Sequence, residues 1–65
     1  MTENYVIHYK LVRQRVKRGK LLESVTLETS FDKKAMLKHA EQERCVELDP
    51  NIFYAVVAER INMPQ

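Results

Sequence analysis

The sequence has one glycine, one cysteine and two histidines, and each scarcity excludes a class of protein. With Gly19 alone, the chain cannot build the glycine-rich loop by which nucleotide-binding motifs wrap phosphates. With Cys45 alone, no intramolecular disulfide can form, and a reducing, cytoplasmic setting is expected. Neither His8 nor His39 has a cysteine at the spacing of a zinc motif. The sequence therefore predicts no bound cofactor and no metal.

Long apolar runs are also missing. No stretch reaches the length of a membrane span, and the N-terminus lacks the basic and apolar segments of a signal peptide. Charged residues make up 31% of the chain and hydrophobic residues 45%, which is typical of a folded domain. Without linkers or repeats, residues 1–65 are predicted to form one small domain. Self-association or a partner is expected to supplement so small a core.

Two segments, residues 5–11 and 21–29, alternate in polarity as half-buried strands do. The side chains predicted to face a covering layer are Tyr5, Ile7, Tyr9, Leu11, Val25 and Leu27. The first segment is rich in β-branched and aromatic residues, which favours a strand over a helix.

The loop between these strands determines their register. A three-residue loop at residues 17–19 would place Leu11 opposite Val25 and Arg13 opposite Glu23. The last residue of such a loop adopts a left-handed conformation that glycine tolerates. We therefore predict a long hairpin over residues 5–30 in this register.

Residues 31–45 contain good helix formers and neither glycine nor proline, which predicts a helix. Ser30 is the expected N-cap, and Asp32 would lie in the first turn, where it suits the helix dipole. The side predicted to face the sheet consists of Phe31, Ala35, Met36, His39, Ala40 and Val46. Leu37 falls on the polar side.

Residues 48–51 have the composition of a turn, and the apolar stretch of residues 52–58 follows. A buried strand is preferred for this stretch, with a second helix as the alternative because Asp49-Pro50 can also begin a helix. The predicted fold is α+β in the order β-β-α-β. Its three-stranded, antiparallel or mixed sheet has the order 2-1-3, with one helix on one face. The alternative is a β-hairpin followed by two helices.

Positive charge is concentrated between positions 10 and 20. This segment contains no acidic residue and six basic ones, Lys10, Arg13, Arg15, Lys17, Arg18 and Lys20. The other residues include five basic and nine acidic ones, so the segment has a formal charge of +6 and the rest of the chain −4. A two-stranded ribbon fits the major groove of DNA, and its cations attract phosphates. These six residues are therefore predicted to bind nucleic acid, and an acidic protein surface is the alternative partner.

No arrangement of side chains indicates catalysis. Cys45 has no histidine or aspartate at a motif-defining spacing, and it is expected to be a small buried residue. His39 is expected to be packed and hydrogen-bonded, and His8 to pair with Glu28 across the hairpin. Glu41, Glu43 and Glu47 are interpreted as an exposed helix face. The sequence predicts that the chain is not an enzyme.

Two resemblances of layout concern the hairpin and the element order. The basic hairpin followed by a capped helix resembles the three-stranded, arm-type DNA-binding domains of phage integrases, which implies DNA binding. In those domains all three strands precede the helix, whereas here an apolar segment follows it. The β-β-α-β order is similar to small bacteriophage proteins that inhibit host enzymes such as RNA polymerase, which implies a regulatory role. Neither resemblance transfers a functional residue.

We therefore predict a small non-enzymatic binding or regulatory domain that binds DNA or RNA through its basic hairpin. The alternative is a protein-interaction module or inhibitor that engages an acidic partner or uses the uncovered sheet face. Val6, Val12 and Leu22 would make that face apolar, so a homodimer is expected. No membrane partner is expected.

Overall fold

A computed structural model describes residues 4–62, which form three strands and one helix. The elements are β1 (Tyr5–Lys17), β2 (Lys20–Ser30), α1 (Lys33–Val46) and β3 (Ile52–Asn62). The sheet order is β2-β1-β3, and β1 is antiparallel to both neighbours. The predicted α+β fold and strand order are confirmed, and the two-helix alternative is wrong because residues 52–62 are extended. The predicted absence of a signal peptide concerns the N-terminus, and residues 1–3 lie outside the described residues.

The hairpin turn has two residues, so the predicted three-residue loop is wrong. Lys17 pairs directly with Lys20, and Arg18 and Gly19 form the turn with φ of 53° and 75°. Positive φ at both central residues is the mark of a type I′ turn, whose twist matches that of the strands it joins. Gly19 adopts this conformation without steric cost, whereas Arg18 does not.

The hairpin register also differs from the prediction, because β2 contains two bulges. Going from the turn, the partner on β2 jumps from Leu21 to Glu23 and later from Thr26 to Glu28. Leu22 and Leu27 are the extra residues, and a bulge leaves such residues without a partner on the neighbouring strand. In the resulting register, Arg13 lies opposite Val25, Arg15 opposite Glu23 and Leu11 opposite Glu28.

The helix begins two residues later than predicted. Asp32 is the N-cap, and its Oδ1 accepts a hydrogen bond from the Ala35 amide at 3.2 Å. Ser30, the predicted cap, instead accepts a hydrogen bond from the Asp32 amide at 3.0 Å, where the chain leaves β2. Phe31 therefore lies outside the helix, 65% exposed, with its ring centroid 4.6 Å from that of His8.

The core is small and lies where the middle of α1 crosses β1. Leu11 is fully buried against Met36 and Ala40, and Tyr9, Tyr54 and Val56 pack around them. Of the side chains predicted to face the helix, Tyr9 and Leu11 do so, whereas Tyr5, Val25 and Leu27 are exposed. Of the residues predicted for the sheet-facing side of the helix, Phe31, Ala35 and Val46 are likewise exposed, so that side is narrower than predicted.

The connection from α1 to β3 is the predicted turn. The Ile52 amide donates to the Asp49 carbonyl at 3.2 Å, and the Asn51 amide donates to Asp49 Oδ1 at 2.8 Å. The Asn51 carbonyl accepts from the Val16 amide at 2.8 Å, which fixes this turn beside the distal end of β1. Within residues 4–62, no helix has the length and apolarity needed to cross a membrane.

Candidate functional site

The hairpin tip brings together three of the six basic residues singled out in the sequence. Lys17, Arg18 and Lys20, with Leu22, line a shallow groove of about 350 Å³. Arg15 lies two residues farther down β1 and is exposed like the other three. Within the described part of the chain, none of the four forms an ion pair. We call these residues, Arg15, Lys17, Arg18 and Lys20, the tip cluster.

Lys10 does not belong to the tip cluster. Its Nζ lies 2.7 Å from Glu59 Oε2 on the sheet face opposite the helix. The hydrogen bond from this ammonium group lowers the pKa of the Glu59 carboxyl. The partner carboxylate is on β3, 49 residues away in the sequence, so the residues around Lys10 do not predict this ion pair.

Arg13 is likewise occupied, under the C-terminal end of α1. Its Nη2 lies 3.5 Å from Glu47 Oε1, and the hydrogen bond with Tyr54 is the main cause that raises the pKa of Arg13. Tyr54 also donates its hydroxyl proton to Glu47 Oε1 at 2.7 Å. Arg13 therefore joins the helix end to the sheet and is not available at the surface as a free cation.

Glu47 is the centre of this polar cluster, and its interpretation as part of an exposed helix face is wrong. It is the C-cap residue of α1, and its Oε2 accepts from the Leu48 and Asp49 amides at 3.1 and 3.3 Å. These hydrogen bonds lower the pKa of Glu47, and the one from Tyr54 is the largest cause. The hydrogen bond between Tyr54 and Glu47 also raises the pKa of Tyr54. The helix ends before this residue, which turns its side chain toward the sheet.

His39 is hydrogen-bonded, as predicted, and its partners are two carboxylates. Its Nδ1 meets Glu28 of β2 and its Nε2 lies 3.2 Å from Glu43. The bond with Glu28 is the main cause that raises the pKa of His39. The predicted His8–Glu28 pair is wrong, because Glu28 is on the helix side of the sheet and His8 on the other.

Cys45 is exposed, so the expectation of a buried thiol is wrong. The helix directs Met36 and Ala40 toward the sheet, and Cys45 falls on the outer side. There it lines a shallow depression with Lys38, Glu41, Gln42 and Val46. Among residues 4–62, no three histidine, cysteine or acidic side chains are placed to hold a metal.

The tip cluster occupies positions where cations reduce stability. Lys17 and Lys20 lie directly opposite each other, and like charges in that arrangement destabilise a strand pair. Arg18 holds a left-handed conformation that costs a side-chain-bearing residue about 1–2 kcal/mol. The predicted three-residue loop did not include the opposed lysines or the left-handed Arg18, because both require a two-residue turn.

Comparisons of this chain with protein-family models, with curated proteins and with solved structures found no match.

Proposed function

We propose that this chain is a small non-enzymatic domain that binds nucleic acid through the phosphates, using the tip cluster of its hairpin. The observation that carries the proposal is the directly opposed pair of Lys17 and Lys20 on either side of the left-handed Arg18. Local choices that lower stability without structural compensation are expected where a sequence serves function. No acidic side chain offsets this charge through an ion pair in the described residues.

The shape of the tip favours double-stranded DNA among nucleic acids. A two-stranded antiparallel ribbon fits the major groove of B-form DNA, whereas the major groove of A-form RNA is deep and too narrow for it. Arg15 and Arg18 have planar guanidinium groups that bind phosphate in a bidentate manner. We therefore expect duplex DNA to bind more tightly than duplex RNA.

The salt dependence of binding gives a quantitative test. If all four tip cations contact phosphates, the logarithm of the affinity for duplex DNA should fall with the logarithm of salt concentration at a slope of about −3.6. Fluorescence anisotropy with a labelled duplex of arbitrary sequence measures this slope. The double variant K17E/K20E should lose more than about tenfold in affinity at low salt and about half of the slope.

A matched control separates the tip from the net charge of the chain. Lys33 and Lys34 are exposed in the first turn of α1, and K33E/K34E changes the formal charge by the same amount. Acidic residues there also suit the helix dipole, so the helix should persist. We expect this control to retain most of the affinity. Equal losses in both double variants, or unchanged binding by K17E/K20E, would refute a phosphate site at the tip.

A further inference from the structure

No helix or strand of the described residues covers the sheet face turned away from α1, and Phe31 contacts it at His8. Pairing and strand alternation assign fifteen described side chains to it, and we call this surface the open face. Its residues are Val6, His8, Lys10, Val12, Gln14, Val16, Leu21, Ser24, Thr26, Thr29, Phe53, Ala55, Val57, Glu59 and Ile61. Only two of these fifteen, Lys10 and Glu59, carry a formal charge, and the two are paired with each other at 2.7 Å.

The charge distribution over the two sheet faces is the reverse of what an exposed face requires. In an antiparallel sheet with one covered face, the solvent-facing side chains are normally the polar ones. Here the charged strand residues lie mostly on the helix side, namely Arg13, Arg15, Lys17, Lys20, Glu23, Glu28 and Arg60. The open face, in a chain with 31% charged residues, has the composition of a buried surface.

The half of the open face nearer to the hairpin tip is the more apolar. Val12, Val16 and Ala55 form its centre, and Phe53 and Val57 beside them are 52% and 46% exposed. A contiguous apolar patch rimmed by polar residues marks a site of association. This patch is continuous across β1 and β3, so it offers a flat, ordered surface to a partner.

The chain exposes more surface than a compact monomer of its mass would. The chain exposes 5372 Å², whereas a compact monomer of its 7.7 kDa mass exposes about 4,300 Å². The excess of about 1,000 Å² is close to the roughly 800 Å² that each partner buries in a stable protein interface. Among residues 4–62, the buried hydrophobic core consists of four residues, Leu11, Met36, Ala40 and Ile52.

We propose that the open face binds the open face of a second copy of this chain, forming a two-fold dimer with both helices outside. The ion pair of Lys10 and Glu59 is self-complementary, because a two-fold axis beside it brings each charge near its opposite on the other copy. Apart from this pair the face bears no formal charge, so no other like charges repel each other when two copies stack. Repulsion between the two basic tips favours the antiparallel arrangement, which places them at opposite ends.

The oligomeric state of the full chain tests this proposal without nucleic acid. Sedimentation equilibrium across the micromolar to millimolar range should show a species of twice the chain mass. The variant F53K/V57K places two charges on the apolar half of the open face, at side chains that are already half exposed. It should remain folded, as judged by circular dichroism, and should be monomeric at every concentration.

A second double variant of equal charge provides the control. Leu37 and Leu48 are exposed elsewhere, so L37K/L48K should associate like the unmodified chain. A monomeric parent chain, or a dimer that is insensitive to F53K/V57K, would overturn the proposal.

The exposed native thiol distinguishes face-to-face stacking from pairing of strand edges. A nitroxide label on Cys45 would lie on the outer helix, so the two labels of a stacked dimer should be more than about 30 Å apart. Edge-to-edge pairing of two three-stranded sheets would put both helices on one face, with axes about 15 Å apart. Pulsed electron-spin distance measurements separate these values, and the shorter one would contradict the open-face dimer.

Discussion

Individual residues at the hairpin tip show a conflict between local stability and charge. Asparagine is the preferred residue at the first position of a type I′ turn, because its short polar side chain tolerates positive φ. The chain has Arg18 there, with φ of 53°, and a lysine on either side of the turn. An uncharged tip would fold as well or better, so the stability of the turn does not explain these cations.

Replacing Arg18 by asparagine should separate these two effects. R18N relieves part of the left-handed strain and should raise the free energy of unfolding by up to about 1 kcal/mol. If Arg18 binds a phosphate as proposed, R18N should also make the salt slope of DNA binding shallower by about 0.9. Urea denaturation and anisotropy titrations measure the two quantities.

The conservative variant R18K is the control for this prediction, because it keeps the charge and the strain. It should match the parent in stability and in salt slope. If R18N bound DNA with an unchanged slope, Arg18 would not contact a phosphate.

Among the elements, α1 is attached to the sheet by a small apolar contact and two polar ones. Met36 and Ala40 pack on Leu11 in the middle of the helix. His39 reaches Glu28 on β2, and Glu47 at the helix end reaches both other strands through Arg13 and Tyr54. The two polar contacts respond to pH in opposite directions.

The contact of His39 with Glu28 should stabilise the protein at low to neutral pH. Because the fold raises the pKa of His39, its contribution is complete below the unfolded value of about 6.5 and is lost as pH rises through the folded value. The difference in unfolding free energy between the parent and H39Q should therefore shrink as pH rises above about 6.5. Chemical denaturation at several pH values measures it. H8Q is the control, and a constant difference for H39Q would contradict this role.

Glu47 should show the opposite dependence. The fold lowers its pKa, so its contribution is present above the unfolded value of about 4.5 and is lost as pH falls through the folded value. E47Q should destabilise the protein at pH 7, and the deficit should diminish in acid, where the parent is protonated too. E41Q, on the exposed side of the helix, should have little effect at either pH. An E47Q protein as stable as the parent at pH 7 would show that these hydrogen bonds contribute nothing.

The elements were predictable because their signals are local, whereas the register was not. Alternation in residues 5–11, helix formers in residues 31–45 and the turn at Asp49-Pro50 each depend on neighbours in the sequence. The bulges at Leu22 and Leu27 depend on how β2 lies against β1, which is a contact between two segments and not a local signal. A rule that matched apolar faces without bulges therefore chose the wrong loop.

At the scale of the whole molecule, the chain is long and thin. Its Cα atoms span 47 × 24 × 14 Å, and the radius of gyration is 14.4 Å, compared with about 11 Å for a compact domain of this length. The candidate site was predictable only in part, because the sheet brings together residues that are distant in the sequence. The density of cations could be seen in the sequence, but the partners of Lys10 and Arg13 come from distant elements of an extended sheet.

The position of β1 has a consequence for how the protein is made. Of the four elements, β1 is synthesised first, yet it is the middle strand, and its longer pairing is with β3, the last of the four. While a ribosome is still adding residues 52–62, the hairpin and the helix exist without Tyr54 and Val56 to enclose Leu11. One edge of the nascent sheet is then bare, which is the state most prone to pair with a wrong strand. Folding is therefore completed only after translation of β3.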